Sequence, residues 1–299
     1  MIHMRKLSKF SPYLYILPAF SVILVFLILP MFYALYLSLF RWDMVAPSQF
    51  VGLRNYLILL QDAEFRLSLM NTAIFSLGSI VFGLGLSLLV AVLLSKKIRG
   101  LGLFRTAFFI PYIASMTAIA IVWRWILQPR GLLNLVINAV GSLFGAAPGE
   151  IRWLQQPGWA RVAIIIFIVW KTMGFNILIF LTRLLDINPS YYEAADIDGA
   201  NGFAKFRYIT WPLLFPTTLF LLTISTIFSF QMFVPVFVLT PDGGPLKSTS
   251  TGVFYLYRTA FNNNLFGYAC AIAYILFFII LILTMLQKKF LGKKAAYEG

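Results

Sequence analysis

Charged side chains are scarce in this 299-residue sequence. They make up 11% of the residues, and only ten are Asp or Glu, whereas 61% of the residues are hydrophobic. A soluble domain of ordinary composition carries about 25% charged residues. The composition therefore excludes an ordinary soluble domain and predicts an integral membrane protein in a lipid bilayer.

Cysteine and histidine are nearly absent. The single cysteine, Cys270, lies in an apolar run, and the single histidine, His3, lies in the N-terminal tail. One cysteine excludes an intrachain disulfide framework and a thiolate metal cluster. With so few nitrogen and sulfur ligands, we expect no metal site in this chain.

Carboxylates are also missing from the apolar runs. An intramembrane enzyme would need paired catalytic groups, and an ion-coupled secondary transporter of a small polar solute would need acidic residues inside its spans. All ten Asp and Glu residues fall outside the cores of the predicted spans. Both classes are disfavoured, and the secondary transporter remains the alternative function.

Long apolar runs are abundant. A spanning helix needs roughly 20 apolar residues, and six runs have that length. They cover roughly residues 13–39, 68–95, 104–127, 159–185, 213–239 and 265–286. A shorter apolar helix is predicted at 132–143. We therefore predict an all-α integral membrane protein with six transmembrane helices.

Basic residues are distributed unevenly about these runs. They concentrate in the two tails and in the segments 96–105 and 183–207. Because loops rich in Lys and Arg stay in the cytoplasm, both termini and the polar segment 186–212 are predicted to be cytoplasmic. The same rule accounts for the net charge of +14, so we expect no nucleic-acid partner.

The segment 186–212 holds four of the ten acidic residues. Asn188 or Ser190 can cap a short helix there, and Ser190 and Glu193 have the spacing of a capping box. Gly199 then interrupts the helix, and a second short helix is predicted before the fifth span. These residues alone leave two readings open, a solvated linker or a docking surface for another protein.

The spacing within this segment resembles a known motif, which runs Glu-Ala-Ala, three residues, Gly, nine residues, Ile, one residue, Leu, Pro. Here it is found at Glu193–Ala195, Gly199, Ile209 and Pro212, with Trp211 where the family usually has Leu. The segment therefore resembles the EAA loop of type I ABC-importer permeases.

Other stretches, spread over nearly the whole chain, resemble the carbohydrate-uptake branch of that family, the maltose-permease-like first subunits. These stretches are Tyr15–Pro18, Phe50–Tyr56, Phe109–Tyr112, Gly131–Asn134, Trp153–Leu154, Trp170–Lys171, Leu239–Pro245 and Gly267–Ala269.

The resemblance implies a type I ABC-importer permease fold in a prokaryotic cell membrane. The chain would form half of the translocation path for a sugar, either a mono- or oligosaccharide or a related polyol. The implied partners are a second permease subunit, expected as a heterodimer, two copies of a cytoplasmic ABC ATPase and an extracytoplasmic solute-binding protein. ATP and Mg would be bound by that ATPase, so this chain is expected to bind no cofactor and to be non-catalytic.

The resemblance also divides the chain. Residues 1–66 would hold the N-terminal tail, the first transmembrane helix and an outer segment. Residues 67–287 would form the five-helix permease core with the cytoplasmic coupling loop 186–212. Residues 288–299 would form a basic cytoplasmic tail.

In this family the EAA loop docks as a coupling helix on the ATPase. Carried over to this sequence, Glu193 would pair with a basic residue of the ATPase, Ala194 and Ala195 would permit close approach, and Gly199 would make the bend. The implied ATPase-coupling residues are Glu193, Ala194, Ala195, Asp198, Gly199 and Pro212.

A cargo path is predicted inside the membrane. Ser225, Ser229 and Met232 share one face of the fifth span, whereas Gln231 falls on the opposite face of an undistorted helix. The resemblance places this face and the third and fourth spans near the sugar. The substrate-path candidates are Tyr112, Met116, Lys171, Thr172, Ser225, Phe228, Ser229 and Met232. Two alternatives stay open: the serines can be contacts between helices, and Lys171 can snorkel or pair with a neighbouring subunit.

The second span carries a stripe of small residues, Ser79, Gly83, Ser87 and Ala91. Small residues at helical spacing let two membrane helices approach closely. The stripe predicts a tight helix–helix contact with a structural role.

Overall fold

The structure, a computed structural model, describes residues 2–45, 48–95, 100–146 and 149–297, most of which are helical. The basic segment 96–99, predicted to be cytoplasmic, lies outside the described residues. The first seven helices are α1 (Ile2–Ile23), α2 (Leu29–Ser38), α3 (Arg54–Gln61), α4 (Ala63–Leu94), α5 (Leu101–Ile113), α6 (Met116–Ile126) and α7 (Leu132–Leu143). The helices after it are α8 (Pro157–Asp186), α9 (Ser190–Ile197), α10 (Gly202–Lys205), α11 (Trp211–Phe230), α12 (Val234–Leu239), α13 (Gly252–Tyr257) and α14 (Phe266–Tyr297).

The remaining elements are short. Strands β1 (Phe40–Arg41) and β2 (Gln49–Phe50) pair antiparallel, with Phe40 opposite Phe50. The π-helical turns are Leu24–Ile28, Phe206–Thr210 and Arg258–Asn262, and the 3-10 turns are Pro241–Gly243 and Pro245–Lys247.

Five helical stretches are long and apolar enough to cross a membrane: Tyr13–Ser38, Ala63–Leu94, Pro157–Asp186, Gly202–Phe230 and Phe266–Gly292. A sixth crossing is present if Gly102–Ile113 and Met116–Ile126 count as one span, although this pair is bent by 98°. The all-α fold is confirmed, with five candidate spans by length and composition, or six if the bent pair is one span. The third span, predicted as one helix over 104–127, is broken instead.

The fifth span also ends earlier than predicted. It was expected to reach residue 239, but α11 ends at Phe230. Phe233 has a non-helical backbone (φ −130°, ψ −59°), and α12 begins after it with Pro235 in its first turn. Proline has no N–H to continue the hydrogen bonding of a preceding helix, so the chain restarts as a separate short helix.

Two of the π-helical turns lie just before prolines, namely Leu24–Ile28 before Pro30 and Phe206–Thr210 before Pro212. In each turn, the next residue donates its N–H to the carbonyl five residues back. A proline ring crowds the carbonyl four residues earlier and removes one hydrogen bond. The wider turn accommodates the ring, so both helices continue through their prolines.

The chain forms two compact units. The first consists of segments 1–62 and 256–275. Within it, the side-chain amide of Asn55 donates to the carbonyls of Ser38 and Phe40 at 2.7 and 3.0 Å. These two hydrogen bonds attach α3 to the end of α2, because Asn55 lies in the first turn of α3.

The second unit consists of segments 63–255 and 276–299. Its centre is the packing of α4 along α8, and the predicted stripe lies in this contact. Ser87 and Ala91 are fully buried, and the Ser87 hydroxyl donates to the Met173 carbonyl at 3.3 Å. The close helix–helix contact predicted from small residues is confirmed.

A second close approach, between α5 and α8, is made by Gly174. A methyl group at this position would clash with the backbone carbonyl of Phe108. We expect Gly174→Ala to destabilise the folded state by about 1–3 kcal/mol, the usual effect of overpacking. The measurement is the thermal unfolding midpoint of the purified protein in detergent. The control is Gly85→Ala in α4, where an added methyl meets no atom within 4 Å. Equal midpoints for the two variants would contradict this account.

Candidate functional site

A cavity of about 410 Å³ lies inside the second unit. Its wall is built from α4, the broken pair α5 and α6, α8, α11 and the segment that follows α11. All eight substrate-path candidates line this one cavity, namely Tyr112, Met116, Lys171, Thr172, Ser225, Phe228, Ser229 and Met232. Their contact with cargo stays a prediction, but residues far apart in sequence are brought together as expected.

The break in the third span is stabilised by Lys171. Its ammonium group donates to the carbonyls of Pro111, Tyr112 and Ala114 at 2.7, 2.6 and 2.9 Å. The last carbonyls of a helix have no partner within the helix, and in a membrane each unpaired carbonyl is costly. Lys171 therefore satisfies the end of α5, while the chain is extended at Ala114 and Ser115 before α6 begins.

This arrangement defines the role of the buried lysine. Lys171 is 5% exposed, and an ammonium group has three N–H donors. All three are used on backbone carbonyls, so the charge is held at the negative end of a helix dipole. The sequence alone left snorkelling, subunit pairing and cargo contact open, and the structure places the amine on α5.

Aromatic rings contribute part of the cavity wall. The rings of Tyr112 and Phe175 stack with centroids 5.0 Å apart and an interplanar angle of 18°. Phe228, whose side chain is 61% exposed, and Phe233 also line the cavity. These ring faces are apolar surfaces on which a flat ligand face can pack.

The two serines of α11 differ in their hydrogen bonds. The Ser229 hydroxyl donates to Ser76 Oγ of α4 at 2.8 Å and is buried, which is the helix-contact role. The Ser225 side chain makes no hydrogen bond to the described part of the chain and lines the cavity. The serine stripe thus contains one helix contact and one hydroxyl available to a ligand.

The prediction for Gln231 was wrong. Extrapolated as a regular helix, the fifth span puts Gln231 opposite the serines, yet it lines the same cavity. The reason is that α11 ends at Phe230 and the chain turns, so helical spacing no longer applies. The following residue, Met232, is fixed by Thr251, whose hydroxyl donates to its carbonyl at 2.7 Å.

Sequence reasoning also missed the contacts that fix the loop carrying Thr251. Arg161 on α8 donates to the Ser248 carbonyl at 3.0 Å and to Asn71 at 3.1 Å, and Asn71 donates to the carbonyls of Lys247 and Ser250. These contacts join residues more than 80 positions apart, and no local pattern signals them. They fix the loop that holds the segment after α11.

Asn176 and Phe175 were missed for a simpler reason. Both line the cavity, about one turn beyond Lys171 and Thr172 on α8. The spacing i, i+4 from Thr172 to Asn176 is the signal that could have found the asparagine.

Segment 186–212 folds as predicted into two short helices joined at Gly199. The Asn188 side chain accepts the Ser190 N–H at 3.0 Å just before α9. Pro189 is the N-cap and Ser190 is the first helical residue, with no side-chain cap hydrogen bond, so the capping box predicted from Ser190 and Glu193 does not form. Gly199 has a φ of +72°, and a Cβ there would meet no atom within 4 Å. The glycine is therefore required by backbone conformation rather than by packing.

Side chains brace the two short helices. Lys205 of the second helix forms an ion pair with Asp196 of the first. The Tyr192 hydroxyl lies 2.9 Å from Thr210 Oγ1, next to the start of α11. Glu193 and Ala194 are exposed, whereas Ala195 is half-buried. The acidic residue of the motif thus lies on an open surface.

Titratable groups are otherwise dispersed. In the described ranges, no three His, Cys, Asp or Glu side chains come together as a possible metal site.

A comparison with protein-family models shows which family the chain belongs to. Residues 7–292 match the family described as the inner membrane component of binding-protein-dependent transport systems. The chain belongs to this family. It is accordingly a multi-pass component of the inner membrane that takes part in transport.

Relatives of this inner membrane component extend over nearly the whole chain. It is 36% identical to the lactose transport system permease protein LacF of Rhizobium radiobacter, covering 95% of both chains. It is 33% identical to the sn-glycerol-3-phosphate transport system permease protein UgpA of Agrobacterium fabrum, covering 97% of both.

A solved structure supports the fold. The chain matches one chain of a bacterial alginate ABC transporter in complex with an alginate pentasaccharide-bound periplasmic protein. The TM-score is 0.84, at 22% identity, over 97% of each chain. The type I permease fold expected from the EAA-like spacing is confirmed.

The lysine–carbonyl contact gives a stability prediction. Lys171→Met leaves three carbonyls without their donor, and each buried unsatisfied acceptor costs about 1–3 kcal/mol. We expect a clearly lower thermal unfolding midpoint in detergent. The control is Thr172→Val, which removes only a hydrogen bond to Ile168 within α8. A Lys171→Met midpoint no lower than that of the control would show that the ammonium does not stabilise the break.

Proposed function

We propose that this chain is the permease subunit of a binding-protein-dependent ABC importer of a sugar. It forms half of the translocation path. The observation that carries the proposal is the cavity at the broken third span, where aromatic faces and neutral polar side chains meet. Hydroxyls and amides match the hydroxyl groups of a sugar, since each can donate and accept.

The cargo assignment is supported by the relatives, whose names include permeases for lactose and for sn-glycerol 3-phosphate. We infer a mono- or oligosaccharide or a related polyol. These names span a neutral and an anionic cargo, so they do not decide its charge.

The energy source in this proposal is a separate subunit. A second permease completes the path as a heterodimer, two copies of a cytoplasmic ABC ATPase bind ATP and Mg, and a solute-binding protein delivers the cargo. This chain itself is non-catalytic. Both termini and the 186–212 loop face the cytoplasm, which accords with the distribution of Lys and Arg.

The 186–212 loop forms the interface with the ATPase. Exposed Glu193 is available to a basic residue, and the braced pair of short helices leads directly into α8 and α11. Closure of the ATPase would move these helices as rigid bodies.

Disrupting this interface should uncouple ATP hydrolysis from cargo uptake. Glu193→Lys reverses the exposed charge, and Gly199→Val forces a β-branched residue into the left-handed region. We expect both variants to stay in the membrane, with cargo uptake reduced at least tenfold while the ATPase subunit still hydrolyses ATP. The measurements are uptake and ATPase rates of the whole importer in proteoliposomes.

Two controls match these changes. Gly199→Asn keeps a residue that tolerates positive φ, and Glu150→Lys reverses an exposed acid in a different loop. Both should retain uptake. Full uptake by Glu193→Lys and Gly199→Val would refute the coupling role, and uptake driven by an ion gradient without ATP would favour the secondary transporter instead.

The cavity gives a separate test. Ser225→Ala removes a hydroxyl that has no partner in the described residues, so we expect a KM for cargo raised about five- to tenfold, the equivalent of roughly 1 kcal/mol. Thr223→Val is the control, because the Thr223 hydroxyl bonds to the Leu219 carbonyl of its own helix. An unchanged KM for Ser225→Ala would remove Ser225 from the cargo path.

A further inference from the structure

The cavity wall carries one charged side chain among its described residues, Lys171. Among the described residues that line the cavity there is no carboxylate, and Lys171 is the one cation. Its three N–H donors are occupied by the carbonyls of Pro111, Tyr112 and Ala114. The positive charge is therefore already balanced by the carbonyl end of α5, and no N–H remains for a ligand.

The polar groups that are available in the wall are all neutral. The side chains of Tyr112, Asn176, Ser225 and Gln231 line the cavity and make no hydrogen bond to the described part of the chain. Hydroxyl and amide groups both donate and accept. They are suited to a ligand whose own groups do both, which is the property of a polyhydroxylated carbohydrate.

An anionic cargo has different requirements. A phosphate or carboxylate only accepts hydrogen bonds, and proteins recognise it with cations, above all with the planar fork of arginine. Within a membrane, a charge without such a partner costs several kcal/mol. The lining residues that the structure describes offer neither a free cation nor an arginine.

We propose that this subunit selects uncharged carbohydrate, a neutral sugar or polyol, and excludes sugar phosphates and uronates. The inference rests on the proposed function, since it assumes that the cavity is the cargo path. It concerns the contribution of this subunit to the choice of cargo charge, which the relatives leave open.

The test uses the complete importer in proteoliposomes. Uptake is measured for matched pairs, a neutral hexoside with its uronate and a polyol with its phosphate. Each ligand is presented on saturating solute-binding protein whose loading is measured, and the rate is expressed per loaded protein. This normalisation separates the selectivity of the permease from that of the binding protein.

We expect the neutral member to be taken up about 100-fold faster, the equivalent of roughly 3 kcal/mol for one uncompensated charge. Gln231→Lys adds an unpaired cation to the wall and should raise the anionic-to-neutral ratio at least tenfold. Glu150→Lys, which adds the same cation in a loop outside the cavity wall, should leave that ratio unchanged.

Two outcomes would overturn the inference in distinguishable ways. ATP-driven uptake of the anionic member at a rate similar to that of its neutral partner would overturn the charge selection while leaving the importer intact. No ATP-driven uptake of any sugar would overturn the proposed function, and the charge selection with it.

Discussion

Three hydrogen bonds from one ammonium group allow the third span to break inside the membrane. A helix end within a low-dielectric medium leaves carbonyls that water cannot satisfy. Lys171 supplies the missing donors from α8, and the break places Tyr112 on one side and Met116 on the other, both facing the same cavity. Burying an unpaired ammonium group would cost free energy, and so would leaving the last carbonyls of α5 without donors. The three hydrogen bonds remove both costs, because they pair the buried charge with those carbonyls.

The two functional regions lie at different points along the same pair of helices. The helix α8 carries Lys171 near its middle and ends at Asp186, where the loop begins, and α11 starts after the loop and ends beside the cavity. Near the loop, Arg183 Nε donates to the Leu213 carbonyl at 3.2 Å and so ties the two helices together. Continuous packed helices are what rigid-body coupling between distant sites requires.

The sequence predicted the fold well because membrane spans follow from apolar length alone. It predicted the two short helices at Gly199 because caps and glycines are local signals. It also predicted that the eight cavity residues come together, because helical spacing grouped Ser225, Ser229 and Met232 and the resemblance added the residues of the third and fourth spans. Lys171 as the partner of a broken helix was beyond reach, since the contact joins residues about 60 positions apart.

Proline did not reveal the break either. Pro18, Pro30 and Pro216 all lie in helices that continue past them, and α5 extends two residues beyond Pro111 before it ends. A proline in a membrane helix permits a break without requiring one. The tertiary donor decides where the helix stops, and the same limit explains Gln231, whose position depends on where α11 ends.

The π-helical turn before Pro212 has a consequence for how the fifth span is oriented. Such a turn holds one residue more than a regular turn, and each residue adds about 100° of rotation. The face that α11 presents to the cavity is therefore out of phase with the face that α10 presents beside the loop. The residues before and after the turn therefore follow two helical registers, so counting 3.6 residues per turn from residue 204 does not give the cavity face near residue 225.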